Sequence, residues 1–153
     1  MGEIARRLAD LGLDIPKPVA PVANYVPFVI SGTELFISGQ VSIGPNGLIK
    51  GKLGADMSVE QGAEAAKACA INLIAQMNAA LDGDLDKVRR IIKLNAFVNC
   101  TPDFVDQPKV ANGASDLMAA VFGDGGRHAR AAVGAPSLPL GAAVEIDAVV
   151  AIG

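Results

Sequence analysis

The chain contains no tryptophan, one tyrosine, one histidine and two cysteines in 153 residues, and aromatics make up only 4% of it. Each shortage removes a class of explanation. With so few aromatics, a core has to be assembled from Ala, Val, Leu and Ile. His128 is the single histidine, and no His, Cys and carboxylate cluster has ligand spacing, so neither a metal nor a cofactor is expected. Cys69 and Cys100 lie in apolar surroundings and read as core thiols, because disulfides are rare in the reducing compartments where such a chain is expected. Long hydrophobic runs are missing as well. None approaches the roughly 20 apolar residues that a membrane helix requires, and Met1 to Leu13 is too charged for a signal peptide. Membrane is therefore not an expected partner, and the chain reads as cytoplasmic. Positive charge is sparse: the net charge is -3 and the isoelectric point is near 5.0. Arg89, Arg90 and Lys93 form the densest basic group, too little to track phosphates, so nucleic acid is not an expected partner.

What is present is aliphatic. Hydrophobic residues make up 51% of the chain and mean hydropathy is +0.39, values that point to subunit contacts covering part of the surface. The length fits one domain. Ile4, Leu8 and Leu11 share one face of a short amphipathic helix, and the three prolines between Ile15 and Pro21 cannot continue it. Residues 1–22 thus read as a helix plus a proline-rich connector, and residues 23–153 as the main domain.

Val26 to Ile30 and Glu34 to Ser38, on either side of Ser31-Gly32-Thr33, form a predicted β-hairpin. A turn at Pro45-Asn46-Gly47 precedes a short strand at Leu48 to Lys50. Ser58 and Gln61 make a capping box at the head of the longest helical pattern, which Asp82-Gly83 terminates. Alternation predicts a half-buried strand over Ile92 to Val98, with Ile92, Leu94, Ala96 and Val98 on one face. Pro108 suits the start of a second long helix, and Gly123 stops it. The result is an α+β layout: a largely antiparallel sheet covered on one face by two helices, with an extra N-terminal helix.

The most informative stretch runs from Arg130 to Ala148. It sets a permanent cation and a titratable carboxylate, Glu145, into apolar strand-like runs joined by a Pro/Gly loop. A pairing centred near Ser137 and Leu138 would place Arg130 and Glu145 opposite each other on antiparallel strands. Two readings follow. A guanidinium can grip a carboxylate ligand while a nearby carboxyl group orients or deprotonates water, or the two side chains form a salt bridge within a sheet.

The same residues carry a resemblance. The order Arg130, small residues, Val133, Leu138-Pro139 and then Val144-Glu145-Ile146-Asp147-Ala148 resembles the signature of the Rid family, the reactive intermediate deaminases or YjgF-like proteins. Tyr25 in Ala23-Asn24-Tyr25-Val26 stands where that family has a Gly-Pro-Tyr turn. Ile37-Ser38-Gly39-Gln40-Val41 is similar to its strand ending in Ser-Gly-Gln. The resemblance extends from about Tyr25 to Ala151.

It implies a chorismate-mutase-like fold, a homotrimer with active sites in intersubunit clefts, and cofactor-free hydrolysis of small 2-imino or enamine acids to 2-keto acids and ammonia. Arg130 would hold the substrate carboxylate and Glu145 the attacking water. Tyr25 would contact substrate across a subunit boundary, and Gly39 and Ala132 would offer main-chain hydrogen bonds. The family's cleft-lining helix position falls on Asn112 or Ser115, with Ser115 favoured by ungapped counting back from Val121-Phe122. The chain departs from the pattern in two places. Arg127-His128-Ala129 replaces a run that often holds proline, and Ala131-Ala132 replaces residues with hydroxyl or thiol groups. Arg127 and His128 read as a second anion contact or as a solvated pair, and Asp147 as a direct participant or a solvated or subunit-contacting side chain. A non-catalytic trimer that binds a small carboxylate or keto acid is the alternative. Ribonuclease activity, sometimes attached to the family, sits poorly with the acidic charge and the single histidine.

Overall fold

The computed structural model describes every residue except Val22, so the predicted end of the connector lies outside the described residues. Helix α1 (Glu3–Asp10) turns Ile4 and Leu8 inward, where both join the main hydrophobic cluster. Its N-cap, Gly2, has no side chain to offer. The cap comes instead from Asp86 in the turn Leu85–Lys87, whose carboxylate accepts from Glu3 N at 3.1 Å and Ile4 N at 3.0 Å.

Strands β1 (Phe28–Ser31) and β2 (Glu34–Val41) form the predicted hairpin, with Ser31 opposite Glu34 and Gly32 at φ +61 in the turn. A small ribbon follows, β3 (Ile43–Gly44) with β4 (Gly47–Leu48). Helix α2 (Val59–Ala80) opens on Ser58, where both capping-box hydrogen bonds are made with Gln61. Helix α3 (Gln107–Phe122) carries Pro108 in its first turn and ends at Gly123. The two helices cross closely because Gly113 has no Cβ, which would otherwise lie 1.9 Å from the Ala63 carbonyl oxygen.

The remaining strands are β5 (Val88–Asn99), β6 (Ala129–Ala135) and β7 (Val144–Ile152). The five-stranded sheet has the order β1-β2-β7-β5-β6. All its pairs are antiparallel except β5 with β6. Leu35, Ile37, Leu94, Ala96, Val98, Val144, Ile146 and Ala148 face the helices and are buried. Within β5 the register shifts between Ile91 and Lys93, so Ile91 takes the fully buried position that alternation assigned to Ile92. A β-bulge resets alternation, and a count along one strand cannot see it.

The sheet order corrects the predicted pairing of Arg130 with Glu145. β6 and β7 are not a hairpin, because β5 lies between them. Residues 136–143 step across the end of β5, where Asn99 N donates to Ala143 O and Cys100 N to Ala135 O. Lys52 fastens this crossing, its Nζ donating to Asn99 Oδ1 and to Pro136 O. The apolar β7, buried on alternate residues from Val144 to Val150, gains a neighbour on each side, while the Ala/Gly-rich β6 is left at the edge.

Candidate active site

Cross-strand partners in a sheet point to the same face, and this fixes where each charged residue goes. Arg130 pairs with Leu94, on the helix-covered face. Glu145 pairs with Phe97 on one side and Val41 on the other, on the open face. The proposed site residues therefore fall into two groups at different places on the chain.

The first group surrounds Glu145. In β2 the register shifts between Ile37 and Gln40, which leaves Ser38 and Gly39 as a bulge beside β7. Ser38 ties this bulge to the turn that bears Tyr25: its hydroxyl donates to Val26 O at 2.7 Å and its N–H to Pro27 O at 2.9 Å. Tyr25, Gly39 and Glu145 line one recess, together with Pro21, Pro27 and Leu140. The Glu145 carboxylate lies so close over Gly39 that a Cβ there would come within 2.1 Å of its Oε2. Gly39 thus matters here for having no side chain. Burial raises the Glu145 carboxyl above the ordinary carboxylate range, with the neighbouring Asp147 charge as the second cause. Asp147 itself accepts from Asn95 Nδ2 at 2.8 Å. A carboxyl group in that condition holds its proton at higher pH and is better matched to giving and taking protons near neutrality.

The second group surrounds Arg130 at the sheet edge. Nη1 donates to Asn112 Oδ1 at 2.8 Å and to Ser115 Oγ at 3.1 Å, and Nη2 reaches Pro108 O at 3.4 Å. The sequence left a choice between Asn112 and Ser115, and both meet the arginine. All three acceptors are neutral, and no carboxylate pairs with Arg130 among the described residues. The salt bridge to Glu145 is therefore absent within the chain. Ser115, Arg127, His128 and Arg130 border a shallow surface opening. Ala132 lies two residues along β6 from Arg130, on the same face and opposite Ala96.

Residues 5–150 match the family described as "YjgF/chorismate_mutase-like, putative endoribonuclease". The chain belongs to the YjgF/chorismate-mutase-like family. It is similar to protein TCP17 of Trypanosoma cruzi, at 52% identity over 151 residues covering 97% of this chain and 94% of that one. Among solved structures it is similar to Atu1372 of Agrobacterium tumefaciens, a protein of unknown function, at 52% identity and TM-score 0.91 over 98% of this chain and 92% of that chain. A Shewanella oneidensis structure that shares the endoribonuclease label matches at 33% identity and TM-score 0.94, covering 99% and 100% of the two chains.

Membership of the YjgF-like family accounts for the α+β architecture expected from the sequence. The family match begins at residue 5, within α1, whose Ile4 and Leu8 share the core with the sheet and the long helices. Sequence reasoning missed the contacts of His128: Nε2 lies 2.8 Å from Ser115 Oγ and Nδ1 lies 2.6 Å from Gly126 O. No spacing rule links a loop histidine to a carbonyl two residues before it. Cys69 and Cys100 are buried free thiols, in keeping with a core role. Burial holds the Cys69 thiol well above its usual range, so a nucleophilic thiolate is disfavoured. No helix is long and apolar enough to cross a membrane among the described residues.

Proposed function

We propose that this YjgF-like chain hydrolyses small 2-imino or enamine acids to 2-keto acids and ammonia in clefts between the subunits of a homotrimer. The observation that carries this reading is the state of Arg130. A half-buried guanidinium held only by neutral oxygens keeps an unbalanced positive charge, and a planar carboxylate is its natural complement.

Glu145 supplies the complementary chemistry. The water oxygen attacks carbon 2 of the imine while the Glu145 carboxylate takes one water proton. Glu145 passes that proton to the nitrogen, which gives the neutral carbinolamine; the carboxylate then takes the hydroxyl proton as the C=O bond forms and the C–N bond breaks, and delivers it to the leaving ammonia. Water and imine are consumed, and keto acid and ammonia are released. Glu145 ends as it began. Tyr25 lines the same recess as Glu145 and is 45% exposed, which supports its contact with a substrate across a subunit boundary.

The open sheet face supports association of copies. Val29, Phe36 and Val133 are about half exposed there, beside Phe97 and Val149. Covering such a surface is a common reason for subunits to assemble.

The test generates 2-iminopropanoate from serine with a dehydratase and traps it with semicarbazide, with and without this protein. Faster loss of the trappable imine for the wild type, and none for Arg130→Gln, is the expected outcome. Unchanged trapping with measurable keto-acid binding would instead support the non-catalytic carboxylate-binding trimer. The endoribonuclease label would require a basic track for phosphates; a net charge of -3 argues against one, and salt-sensitive RNA binding would restore that reading.

A further inference from the structure

We propose that His128 is a positioning residue for Arg130, acting through the Ser115 hydroxyl. The proposal rests on the reading of Arg130 as the carboxylate anchor and adds a group that orients it.

The argument starts at Gly126. Its carbonyl can only accept, so His128 Nδ1, 2.6 Å away, carries a hydrogen. A neutral imidazole has one such hydrogen, which leaves Nε2 with a lone pair. That lone pair faces Ser115 Oγ at 2.8 Å and takes the hydroxyl hydrogen. The oxygen lone pairs of Ser115 are then turned toward Arg130 Nη1 at 3.1 Å. A serine inside a helix otherwise tends to donate to the carbonyl four residues earlier, which here is Ala111. His128 removes that alternative.

Two acceptors on one face of α3, Asn112 Oδ1 and Ser115 Oγ, thereby take both hydrogens of Nη1 and set the guanidinium plane. The Nε–H and one Nη2 hydrogen remain as a two-donor edge for a ligand carboxylate. The support for His128 is itself pinned. Arg90 Nη2 donates to Arg127 O at 3.0 Å and to Asp124 O at 3.3 Å. Gly126 packs against α3 so tightly that a Cβ on it would fall 2.1 Å from Met118 O. The histidine therefore has a fixed backbone, a fixed hydrogen on Nδ1 and one acceptor to offer.

His128 is the only histidine, so the ¹⁵N spectrum of the wild-type imidazole tests the arrangement without any substitution. At a pH where the ring is neutral, the expected spectrum shows hydrogen on Nδ1; hydrogen on Nε2 would overturn the proposal. Pyruvate titrated calorimetrically into folded variants gives the second test. Ser115→Ala and His128→Leu should each weaken binding about fivefold, the usual scale of one net hydrogen bond. In the Ser115→Ala background, His128→Leu should have no further effect, because its route to Arg130 is already gone. His128→Gln, whose amide oxygen can stand in for Nε2, should recover most of the loss seen with leucine. Independent, additive losses in the double variant, or no recovery with glutamine, would overturn the role of His128 while leaving the anchor intact. Unchanged pyruvate binding by Arg130→Gln would instead sink the anchor reading itself.

Discussion

Arg130 and Glu145 stand on opposite faces of one sheet, with β5 between their strands and an offset of three positions along it, from Leu94 to Phe97. Two strand spacings and three residues of rise separate their Cα atoms by on the order of 14 Å. One chain cannot bring these two side chains to a single small substrate. The proposed reaction therefore takes its arginine from one copy and its glutamate from another.

That division predicts complementation. Arg130→Gln and Glu145→Gln chains should each be inactive alone in the imine-trapping assay. Co-refolded in equal amounts, they should recover about a quarter of the wild-type rate, because random assortment in a cyclic assembly gives that share of sites an intact pair. Mixed assemblies with no activity would show that both residues are needed from the same chain.

Glu145→Gln should change how stability depends on pH. Burial raises the folded carboxyl above its unfolded value, so the native state binds the proton more tightly. The resulting stabilisation is complete below the unfolded value and is lost as pH rises through the raised one. Glutamine has no such titration. Its melting temperature should match the wild type in acid and exceed it at neutral pH, as thermal unfolding across that range would record. A wild type that gains on the variant with rising pH would contradict the burial argument.

Gly39→Ala should fold and yet lose turnover. The new Cβ conflicts with Glu145 Oε2, the far end of a flexible side chain, so the carboxylate swings away and the backbone stays. Misplacing a catalytic group by about 1 Å costs on the order of 10²-fold in rate. The expected result is a drop of that size in kcat, with keto-acid affinity at Arg130 nearly unchanged and thermal unfolding close to wild type.

Asp86→Ala should free the N-terminal helix. Asp86 accepts the N–H groups of Glu3 and Ile4, and these bonds hold its carboxyl below the ordinary range. Its contribution is present above the unfolded value and disappears as pH falls through the lowered one. Hydrogen exchange in α1 should accelerate in the variant at neutral pH, while the amides of β5 and β7 stay protected. Unchanged exchange in α1 would show that Ile4 and Leu8 hold the helix without the cap.

How far the sequence could be read depended on the range of the signal. The Ser58 and Gln61 box, Pro108 in the first turn of α3 and Gly123 at its end act within a few residues, and all were legible. Signals spanning the fold were not. Consecutive strands commonly pair, which predicts a hairpin for Arg130 and Glu145, but β5, with Ile91, Leu94, Ala96 and Val98 buried, fills the place between them. Asn112 and Ser115 were posed as rivals, although three residues apart on a helix they share a face and both reach Arg130. The Asp86 cap joins residues more than eighty positions apart, where periodicity gives no guidance.

The strand order also bears on how the chain is made. β7 follows the other strands of this sheet in the chain, yet it is the one that joins β1-β2 to β5-β6. Until β7 has left the ribosome, β2 and β5 each present an open edge, and the two halves of the sheet have nothing between them. Completion waits on contacts between distant parts of the chain, an arrangement that slows folding and leaves the unfinished polypeptide prone to pairing with its neighbours.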